Sequence, residues 1–395
     1  MGRRVLPHLL VWSSFYEMLA WTPLLILLAT AAGDPSVVAL AASTYSAANL
    51  LGNLGFGLLA DKLQRYRVAG AGLLAMAGTA ALHLTVTAPA ALVGVRFLHG
   101  LAAAAVAPAA FALVTDGAPA GRRGESMARV GLIIAVASMM APPISGRLAR
   151  GAGVPAAVLA LVGMLALFGL LTLAVGKAAS GARPMRRLPE PSPLAAGSHG
   201  ETDRLNPWMM AFGGTVAFAL MFGQNVLFYA LPLRGSQLGM GPAEIGGVLG
   251  VFAVGAFIAF VPPLSRLADR RGRRMPMLLG LALTAAGLLA LAQSDARGAM
   301  SASLFLYGLG FGLVFPAVSA VSADGAGHGR RGLGFGVLTA SFSLGAVAGP
   351  LVASAVSPLA SPFAVAATVA VAGLGISAFM SPRPRPVIPP AGPGA

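Results

Sequence analysis

Long apolar segments alternate with short polar or charged stretches along almost the whole chain. Each segment approaches or exceeds the length of about 20 mostly apolar residues that a membrane-spanning helix needs. The pattern therefore predicts an all-α polytopic membrane protein. Its twelve helices are expected over roughly residues 5–31, 36–60, 68–88, 90–115, 126–150, 154–176, 207–234, 243–268, 274–293, 298–323, 331–356 and 361–381.

A polar gap separates the apolar segments into two sets of six. The gap is rich in Pro and Arg, with prolines at 184, 189, 191 and 193, which is typical of a linker. We therefore predict an N-terminal six-helix bundle, a cytoplasmic linker, a C-terminal six-helix bundle and a cytoplasmic tail. These parts cover residues 1–176, 177–206, 207–381 and 382–395 respectively.

The two sets of six also match each other at one fixed offset of 208 residues, without gaps. The aligned pairs are Asp61 and Asp269, Arg65 and Arg273, Gly100 and Gly308, Pro108 and Pro316, Asp116 and Asp324, Pro142 and Pro350, and residues 122–124 and 330–332. Such an internal repeat indicates two homologous halves. Parallel repeats of this kind place the substrate path between the halves, near the middle of the membrane.

Composition and charge agree with this picture. The chain is 57% hydrophobic and 10% charged, whereas soluble domains carry about 25% charged residues. Of the 27 Lys and Arg residues, 22 lie at the termini or in alternate loops, including the linker, which the positive-inside rule assigns to the cytoplasm. We therefore explain the net charge of +15 without a nucleic-acid partner, and expect a bacterial inner-membrane protein with both termini in the cytoplasm.

Several kinds of chemistry have no residues to support them. The chain has no Cys, which excludes disulfides and thiol catalysis. It has no phosphate-binding loop of Walker type and no metal-ligand spacing such as HExxH. We therefore predict that the protein is not an enzyme and needs no cofactor and no metal.

A charged motif follows the second predicted helix. Asn49, Asn53, Gly57 and Asp61 fall four residues apart on one helical face, and Arg65 follows in the next loop. A copy of the charged part, which includes Asp269 and Arg273, follows the eighth predicted helix. Glycine on such a face lets another helix approach closely within the membrane.

Twelve helices in two sixes, with a Gly-x-x-x-Asp-Lys/Arg-x-x-Arg motif after the second and the eighth, resemble the major facilitator superfamily. The resemblance covers essentially the whole chain. It implies a gate latch in which Asp61 and Arg65 form a charge relay with Asp116, while Asp269 and Arg273 form one with Asp324. Two positions depart from the family pattern: Gln64 and Ser265 stand where the motif usually has Gly.

The fifth predicted helix contains Ala-Pro-Pro-Ile-Ser-Gly, ending at Gly146. This run is similar to the Gly-Pro-x-x-Gly-Gly motif of the drug–proton antiporter branch of the same superfamily, with Ala and Ser substituting. Gly349 and Pro350 are its counterparts in the eleventh helix. Helices rich in Gly and bent by Pro can flex, so we expect hinges at Pro142, Gly146, Gly349 and Pro350.

Three residues are candidates for proton coupling. Glu17 is the only carboxylate well inside a predicted span, and an intramembrane ionisable group usually faces a cavity and has a function. Arg96 lies about two turns inside the fourth helix, in a stretch similar to the family motif whose Arg is associated with proton coupling, and His99 lies one turn away. The alternative is structural: Glu17 could pair with Arg96 to hold two helices together, and His99 could be a hydrogen-bonding partner.

Uncharged polar and aromatic residues could line a substrate cavity. These are Tyr16, Asn49, Asn53, Gln224, Asn225, Phe228, Tyr229 and Tyr307. At the 208-residue offset Asn225 occupies the position of Glu17, so only one half keeps an ionisable group there. Interhelical hydrogen bonding and packing are the alternatives for these residues.

We expect a proton-coupled secondary transporter that exports an apolar or amphipathic small molecule by alternating access. Its partners would be this substrate, protons and membrane lipid, and it would function as a monomer. The sparse polar lining argues against a sugar carrier. A second hypothesis is import of an organic anion that Arg96 binds, by symport or uniport. A third is a lipid-moving or sensor protein on the same fold.

Overall fold

The computed structural model describes residues 2–31, 37–86, 88–119, 122–181, 205–270, 272–357 and 359–380. All regular secondary structure within these ranges is helical. Twelve long helices follow one another: α1 (Gly2–Ala31), α2 (Val37–Lys62), α3 (Arg65–Leu82), α4 (Pro89–Asp116), α5 (Arg123–Ala152), α6 (Val154–Gly181), α7 (Pro207–Gln237), α8 (Pro242–Phe260), α9 (Arg274–Ala292), α10 (Arg297–Ala326), α11 (Arg331–Val356) and α12 (Pro362–Met380).

Eight of the described helices are long and apolar enough to cross a membrane, judged by length and composition: α4 to α7 and α9 to α12. Residues Glu244–Phe260 of α8 form a shorter apolar helix. The all-α polytopic class predicted from the sequence is therefore confirmed. The middle of the predicted linker, residues 182–204, and the predicted tail, residues 382–395, lie outside the described residues.

Two helices end well before the predicted residue and one predicted helix is divided; turns or prolines account for each case. We expected the eighth helix to reach residue 268, but α8 ends at Phe260, just before Pro262 and Pro263. The third was expected to reach residue 88, but α3 ends at Leu82 and turns fill residues 83–85. A turn over residues 104–106 divides α4, because Pro108 has no N–H to donate to the preceding turn.

The helix packing repeats between the two halves. In the first six helices α1 packs on α5, α2 on α4, and α3 on α6; in the second six α7 packs on α11, α8 on α10, and α9 on α12. Adding six to both helix numbers of a pair in the first half gives the corresponding pair in the second half. The fold thus reproduces at the level of packing the internal repeat that the sequence predicts.

The halves meet chiefly where α2 packs on α11 and, symmetrically, where α8 and α10 pack on α5. The contact between α2 and α11 depends on glycine. A Cβ atom added to Gly57 would lie 2.5 Å from the carbonyl oxygen of Gly332 and 2.9 Å from the Cα of Gly336. These two backbones therefore touch directly, as small residues allow between membrane helices.

Candidate functional site

The carboxylate of Asp61, at the end of α2, caps the first turn of α11 in the other half. Its Oδ1 accepts a hydrogen bond from the backbone N–H of Gly332, and its Oδ2 accepts one from Leu333, each at 2.7 Å. The first N–H groups of a helix have no partner within the helix and carry partial positive charge. Asp61 therefore joins the two halves by capping a helix of its partner half.

Asp116, at the end of α4, links an arginine from each half. It forms ion pairs with Arg65 and with Arg331, and Arg65 also lies 3.1 Å from Asp61. The Arg331 side chain is almost completely buried by this contact. The structure thus brings Asp61, Arg65 and Asp116 together, as the family resemblance implies, and adds Arg331.

The second half repeats this cap. Asp269 accepts hydrogen bonds from the backbone N–H groups of Gly124 and Glu125, at 3.0 and 2.9 Å, at the start of α5. An offset of 208 residues converts one capping arrangement into the other. Both therefore lie at the same end of the helix bundle, where α2, α4 and α10 finish and α3, α5, α9 and α11 begin; we call it the basic end.

The repeat extends to the ion pairs. Asp324 pairs with Arg123 from the other half and lies 3.5 Å from Nε of Arg273, which itself pairs with Asp269. Neither Arg123 nor Arg331 was singled out from the sequence. The aligned segments 122–124 and 330–332 already contained the signal, because each repeats an arginine immediately before the capped glycine.

One ion-pair cluster lacks a counterpart. Glu125 accepts two hydrogen bonds from Arg122, both at 2.7 Å, and two longer ones from Arg266 of the other half, at 3.2 and 3.4 Å. At the 208-residue offset its position is taken by Leu333, which is apolar. The contact of α8 and its following loop with α5 therefore has an additional ionic link.

A second site lies deep inside the first half. Glu17 of α1 is fully buried. Its Oε1 accepts a hydrogen bond from the indole N–H of Trp21 and lies 2.8 Å from Nε2 of His99, although that contact lacks hydrogen-bond alignment. Its Oε2 has no hydrogen-bond partner among the described residues. Glu17 therefore has one oxygen engaged and one available.

The other ring nitrogen of His99, Nδ1, contacts the hydroxyl of Thr79. The hydroxyl of Thr79 is 2.9 Å from the carbonyl of Ala75 and 3.1 Å from that of Met76, and donates its single proton to one of them. Its oxygen also lies 3.1 Å from Nδ1 of His99 and can accept a hydrogen bond from that nitrogen. In that arrangement Nδ1 donates to Thr79, and Nε2 is the ring nitrogen that faces Oε1 of Glu17.

Arg96 is not the ion-pair partner of Glu17. Its guanidinium carbon lies 4.5 Å from the ring centroid of Tyr45 and 5.3 Å from that of Trp21, in cation–π geometry. The side chain is almost entirely buried, and its Nε and one Nη lack an acceptor in the described residues. The structural alternative, in which Glu17 pairs with Arg96, is therefore not what the structure contains. Glu17 pairs with His99, and Arg96 lies nearby against the rings of Tyr45 and Trp21.

His83 completes this buried cluster. Its ring lies 4.2 Å from that of Trp21 and 5.6 Å from that of His99, and its Nδ1 is 2.8 Å from the carbonyl of Thr79. A carbonyl only accepts, so Nδ1 carries a proton. The Nε2 of His83 is buried without a partner in the described part of the chain.

Asn49 and Asn53 do not project into open space. Asn53 donates to Oδ1 of Asn49 at 2.8 Å, and Ser343 of α11 donates to the same oxygen at 2.9 Å. The amide of Asn49 donates to the carbonyl of Gly100 in α4 at 3.3 Å. The two asparagines predicted to line a cavity therefore form a polar bridge between the halves.

The second half has no counterpart of the buried ionisable cluster. At the 208-residue offset Glu17, Trp21, Thr79, His83, Arg96 and His99 become Asn225, Tyr229, Gly287, Leu291, Leu304 and Tyr307. Asn225 donates to the carbonyl of Met221 in its own helix, and buried Tyr307 donates to the carbonyl of Leu220 at 3.4 Å. Within the described part of α7 to α12, Asp, Glu, Lys and Arg occur only near helix ends.

The remaining cavity candidates have mixed surroundings. Phe228 is exposed, Gln224 and Tyr229 are half-buried, and Tyr16 is buried against the ring of Trp12. Phe228, Phe252 and Tyr307 form a chain of ring contacts that continues through Phe311 and Phe315. The second half thus contains an aromatic row without charge, and Tyr307 in it is the repeat-related counterpart of His99.

The residues predicted as hinges lie within unbroken helices. The four are Pro142, Gly146, Gly349 and Pro350. A Cβ on Gly349 would lie 2.9 Å from the carbonyl oxygen of Phe222, so α11 contacts α7 closely there. In the described residues no group of three His, Asp or Glu side chains could hold a metal ion.

Comparison with known proteins gives a consistent assignment. The sequence profile of the Major Facilitator Superfamily matches residues 9–215 and 213–395. The tetracycline resistance protein, class B, of Escherichia coli is 36% identical over 127 residues, which are 31% of each chain. The quinolone resistance protein NorA of Staphylococcus aureus is 25% identical over 133 residues, which are 34% of each chain. These matches span about a third of the length of the curated relatives.

Two solved structures share the fold over nearly the whole chain. The human organic anion transporter MFSD10 (TETRAN) superposes with a TM-score of 0.74 at 19% identity, covering 95% of this chain and 100% of that one. The proton:xylose symporter XylE superposes with a TM-score of 0.75 at 14% identity, covering 96% and 95%. At these identities the likeness concerns the fold, two six-helix bundles in one chain.

Proposed function

Because this chain belongs to the major facilitator superfamily, whose members are transporters and not enzymes, we propose that it exports an apolar or amphipathic small molecule in exchange for protons. It is a multi-pass membrane protein similar to efflux-type relatives. The observation that carries the proposal is the Glu17–His99 pair, sealed inside the first half with one carboxylate oxygen unused. A carboxyl group in such a position can bind and release a proton as its surroundings change.

The chemistry of the cycle needs no covalent step. A proton that enters from outside adds to the Glu17 carboxylate, which removes its negative charge and weakens its attraction to a protonated His99. When the site faces the cytoplasm, the same proton leaves. A cargo molecule that binds between the halves only when Glu17 is deprotonated would move in the direction opposite to the proton. The deprotonated protein binds cargo and the protonated protein does not, so the two ligands alternate.

We assign the basic end to the cytoplasmic side, following the loop charges. The caps formed by Asp61 and Asp269 then hold the cytoplasmic side together, which corresponds to an outward-facing state. Opening that side requires the caps and the bridging pairs of Asp116 and Asp324 to separate. On this assignment both termini lie in the cytoplasm of a bacterium, and the protein works as a monomer in the inner membrane.

Transport in proteoliposomes tests the proposal. The purified protein would be reconstituted with an imposed pH gradient, and tetracycline and norfloxacin would be the probes, since relatives confer resistance to tetracycline and quinolones. We expect gradient-dependent movement of at least one probe by the wild type and none by Glu17→Gln. Ser341→Ala is the control, because in the described residues the hydroxyl of that serine donates only to the carbonyl of Val337 in its own helix. Gradient-dependent transport by Glu17→Gln would refute the mechanism.

A second function, transport of an organic anion together with a proton, has one observation in its favour. The Nε and one Nη of Arg96 are buried without acceptors in the described residues, and a cation left so is strongly disfavoured unless an acceptor arrives. An anionic cargo at Arg96 would bind better when Glu17 is protonated, so proton and cargo would move in the same direction. Proton flux parallel to the cargo, abolished by Arg96→Ala, would select this function.

A further inference from the structure

The polar bridge of Asn49, Asn53 and Ser343 is present at only one of the two symmetric contacts between the halves. The repeat-related counterparts of Asn49 and Asn53, 208 residues later, are Phe257 and Val261. The counterpart of Ser343, 208 residues earlier, is Ala135. The contact between α8 and α5 therefore has apolar residues where the contact between α2 and α11 has three polar ones. The contact that contains the bridge is the one between α2 and α11, and α2 also lies against the Glu17–His99 site.

The bridge reaches that site directly. Asn49 donates to the carbonyl of Gly100, which follows His99 in the chain. Gly100 packs against the backbone of Tyr45, and the ring of Tyr45 lies under the guanidinium of Arg96. Two parts of α2, at Tyr45 and Asn49, thus contact the stretch of α4 that carries both Arg96 and His99.

This stretch of α4 is able to shift. The turn over residues 104–106 begins four residues after Gly100, whose carbonyl also accepts from the N–H of Ala104 at 3.1 Å. The Asn49–Gly100 hydrogen bond, at 3.3 Å, is near the upper limit for its type. A small movement of His99 would therefore be enough to break it.

The bridge is also incompletely satisfied. The side-chain oxygen of Asn53 is buried and accepts no hydrogen bond from the described residues. A buried acceptor without a partner raises the free energy of this arrangement. The Asn49 and Asn53 side chains therefore gain little free energy in it over an arrangement with other partners. An element with two arrangements of similar free energy can serve as a switch.

We infer that Asn49 is a positioning residue that transmits the protonation state of the Glu17–His99 pair to the contact between α2 and α11. The inference rests on the proposed proton coupling. Protonation of Glu17 releases His99, the carbonyl of Gly100 moves with it, and Asn49 loses that acceptor. Its Oδ1 then reorients away from Ser343, so α11 separates from α2 at the basic end while the opposite ends of the two helices approach each other.

Other ionisable groups surround the pair, and each belongs to a different part of the chain. They are His83 from the turn after α3, Arg96 from α4 and Tyr45 from α2. In the described structure none of the three forms a hydrogen bond with Asn49 or Ser343. The direct connection from the pair to α11 therefore runs through Gly100 and Asn49.

Spin-label distances test the inference, and the absence of Cys from the chain makes labelling straightforward. Leu40→Cys in α2 and Leu351→Cys in α11 are exposed positions away from the basic end. In lipid nanodiscs, we expect the label distance in the wild-type background to shorten as the pH falls from about 8 to about 5, where His and perturbed carboxyl groups titrate. Asn49→Leu, which is similar in size, should abolish most of this change.

The controls separate the inference from the proposed function. Ser343→Ala should also reduce the pH-dependent change, whereas Ser341→Ala should retain it. If Asn49→Leu is poorly folded, Ser343→Ala alone decides the matter. A full pH response in both Asn49→Leu and Ser343→Ala would overturn the inference while leaving proton coupling intact. No pH response in the wild-type background would refute the proposed function, and the inference with it.

Discussion

Glu17 and His99 show how a few single residues define the chemistry of the site. One oxygen of Glu17 is held by Trp21 and His99, while the other is free of partners in the described residues. The hydroxyl of Thr79 can accept a hydrogen bond from Nδ1 of His99, because its own proton points to the carbonyls of Ala75 and Met76. The position of the His99 ring beside Glu17 therefore depends on a residue about four helical turns into α3.

Removing the Thr79 hydroxyl should impair coupling. In Thr79→Val the Nδ1–H of His99 would be buried without an acceptor, which costs about 1–3 kcal/mol. That corresponds to a loss of about 5-fold to 150-fold in proton-driven transport if the protonated imidazole takes part in the limiting step. Thr79→Ser keeps the hydroxyl and should remain close to wild type. Transport rates in proteoliposomes compare the two, and an equally active Thr79→Val would contradict this role.

The partner of Glu17 could not be decided from the sequence. Arg96 and His99 lie three residues apart on α4, so both were candidates. Which of them faces Glu17 depends on how α1 and α4 are rotated against each other, and that is set by packing at many positions. The internal repeat, in contrast, was readable from the sequence, because charges, glycines and prolines align without gaps at one offset.

At the scale of elements, α2 and α11 touch through glycine at the basic end. The contact leaves no room for a side chain at Gly57, whereas Gly55 on the same helix has nothing within 4 Å of an added Cβ. This difference offers a matched pair of substitutions. Helix propensity would favour alanine equally at both positions.

Gly57→Ala should therefore hold the basic end apart, and Gly55→Ala should not. Labels at Arg67→Cys and Gly329→Cys, exposed positions on either side of that contact, report the separation. We expect a longer mean distance in Gly57→Ala and an unchanged distance in Gly55→Ala. If both variants give the wild-type distance, the glycine contact does not control closure of this end.

Helix boundaries illustrate what sequence pattern leaves out. The end of α8 was predicted eight residues too far along the chain because the apolar run continues past Phe260. The prolines at 262 and 263 stop the helix there, since neither can donate to the preceding turn. The division of α4 near Pro108 has no equivalent at Pro316, which lies inside the continuous helix α10. Identical residues at repeat-related positions thus need not have the same effect.

At the scale of the whole molecule, the two caps form one symmetric device. Asp61 caps α11 and Asp269 caps α5, so each half holds the other by the same contact. The ionic cluster of Glu125 adds strength on one side only. If the halves move as rigid bodies, weakening either cap should increase the separation of the halves at both caps.

Capping variants test rigid-body movement. Asp61→Asn and Asp269→Asn each keep one carbonyl oxygen and lose one hydrogen bond to a helix N-terminus, a weakening of about 1 kcal/mol. With labels at residues 67 and 329, both variants should shift the population toward the open basic end, and their free energies should add in the double variant. A response to Asp61→Asn alone would show that each contact opens independently.

The central claim is that Glu17 exchanges its proton for cargo. The most direct measurement is proton release from purified protein in weakly buffered detergent solution when a candidate cargo, tetracycline or norfloxacin, is added. We predict release by the wild type, none by Glu17→Gln, and wild-type release by Ser341→Ala. Equal proton release by Glu17→Gln and the wild type would contradict the claim.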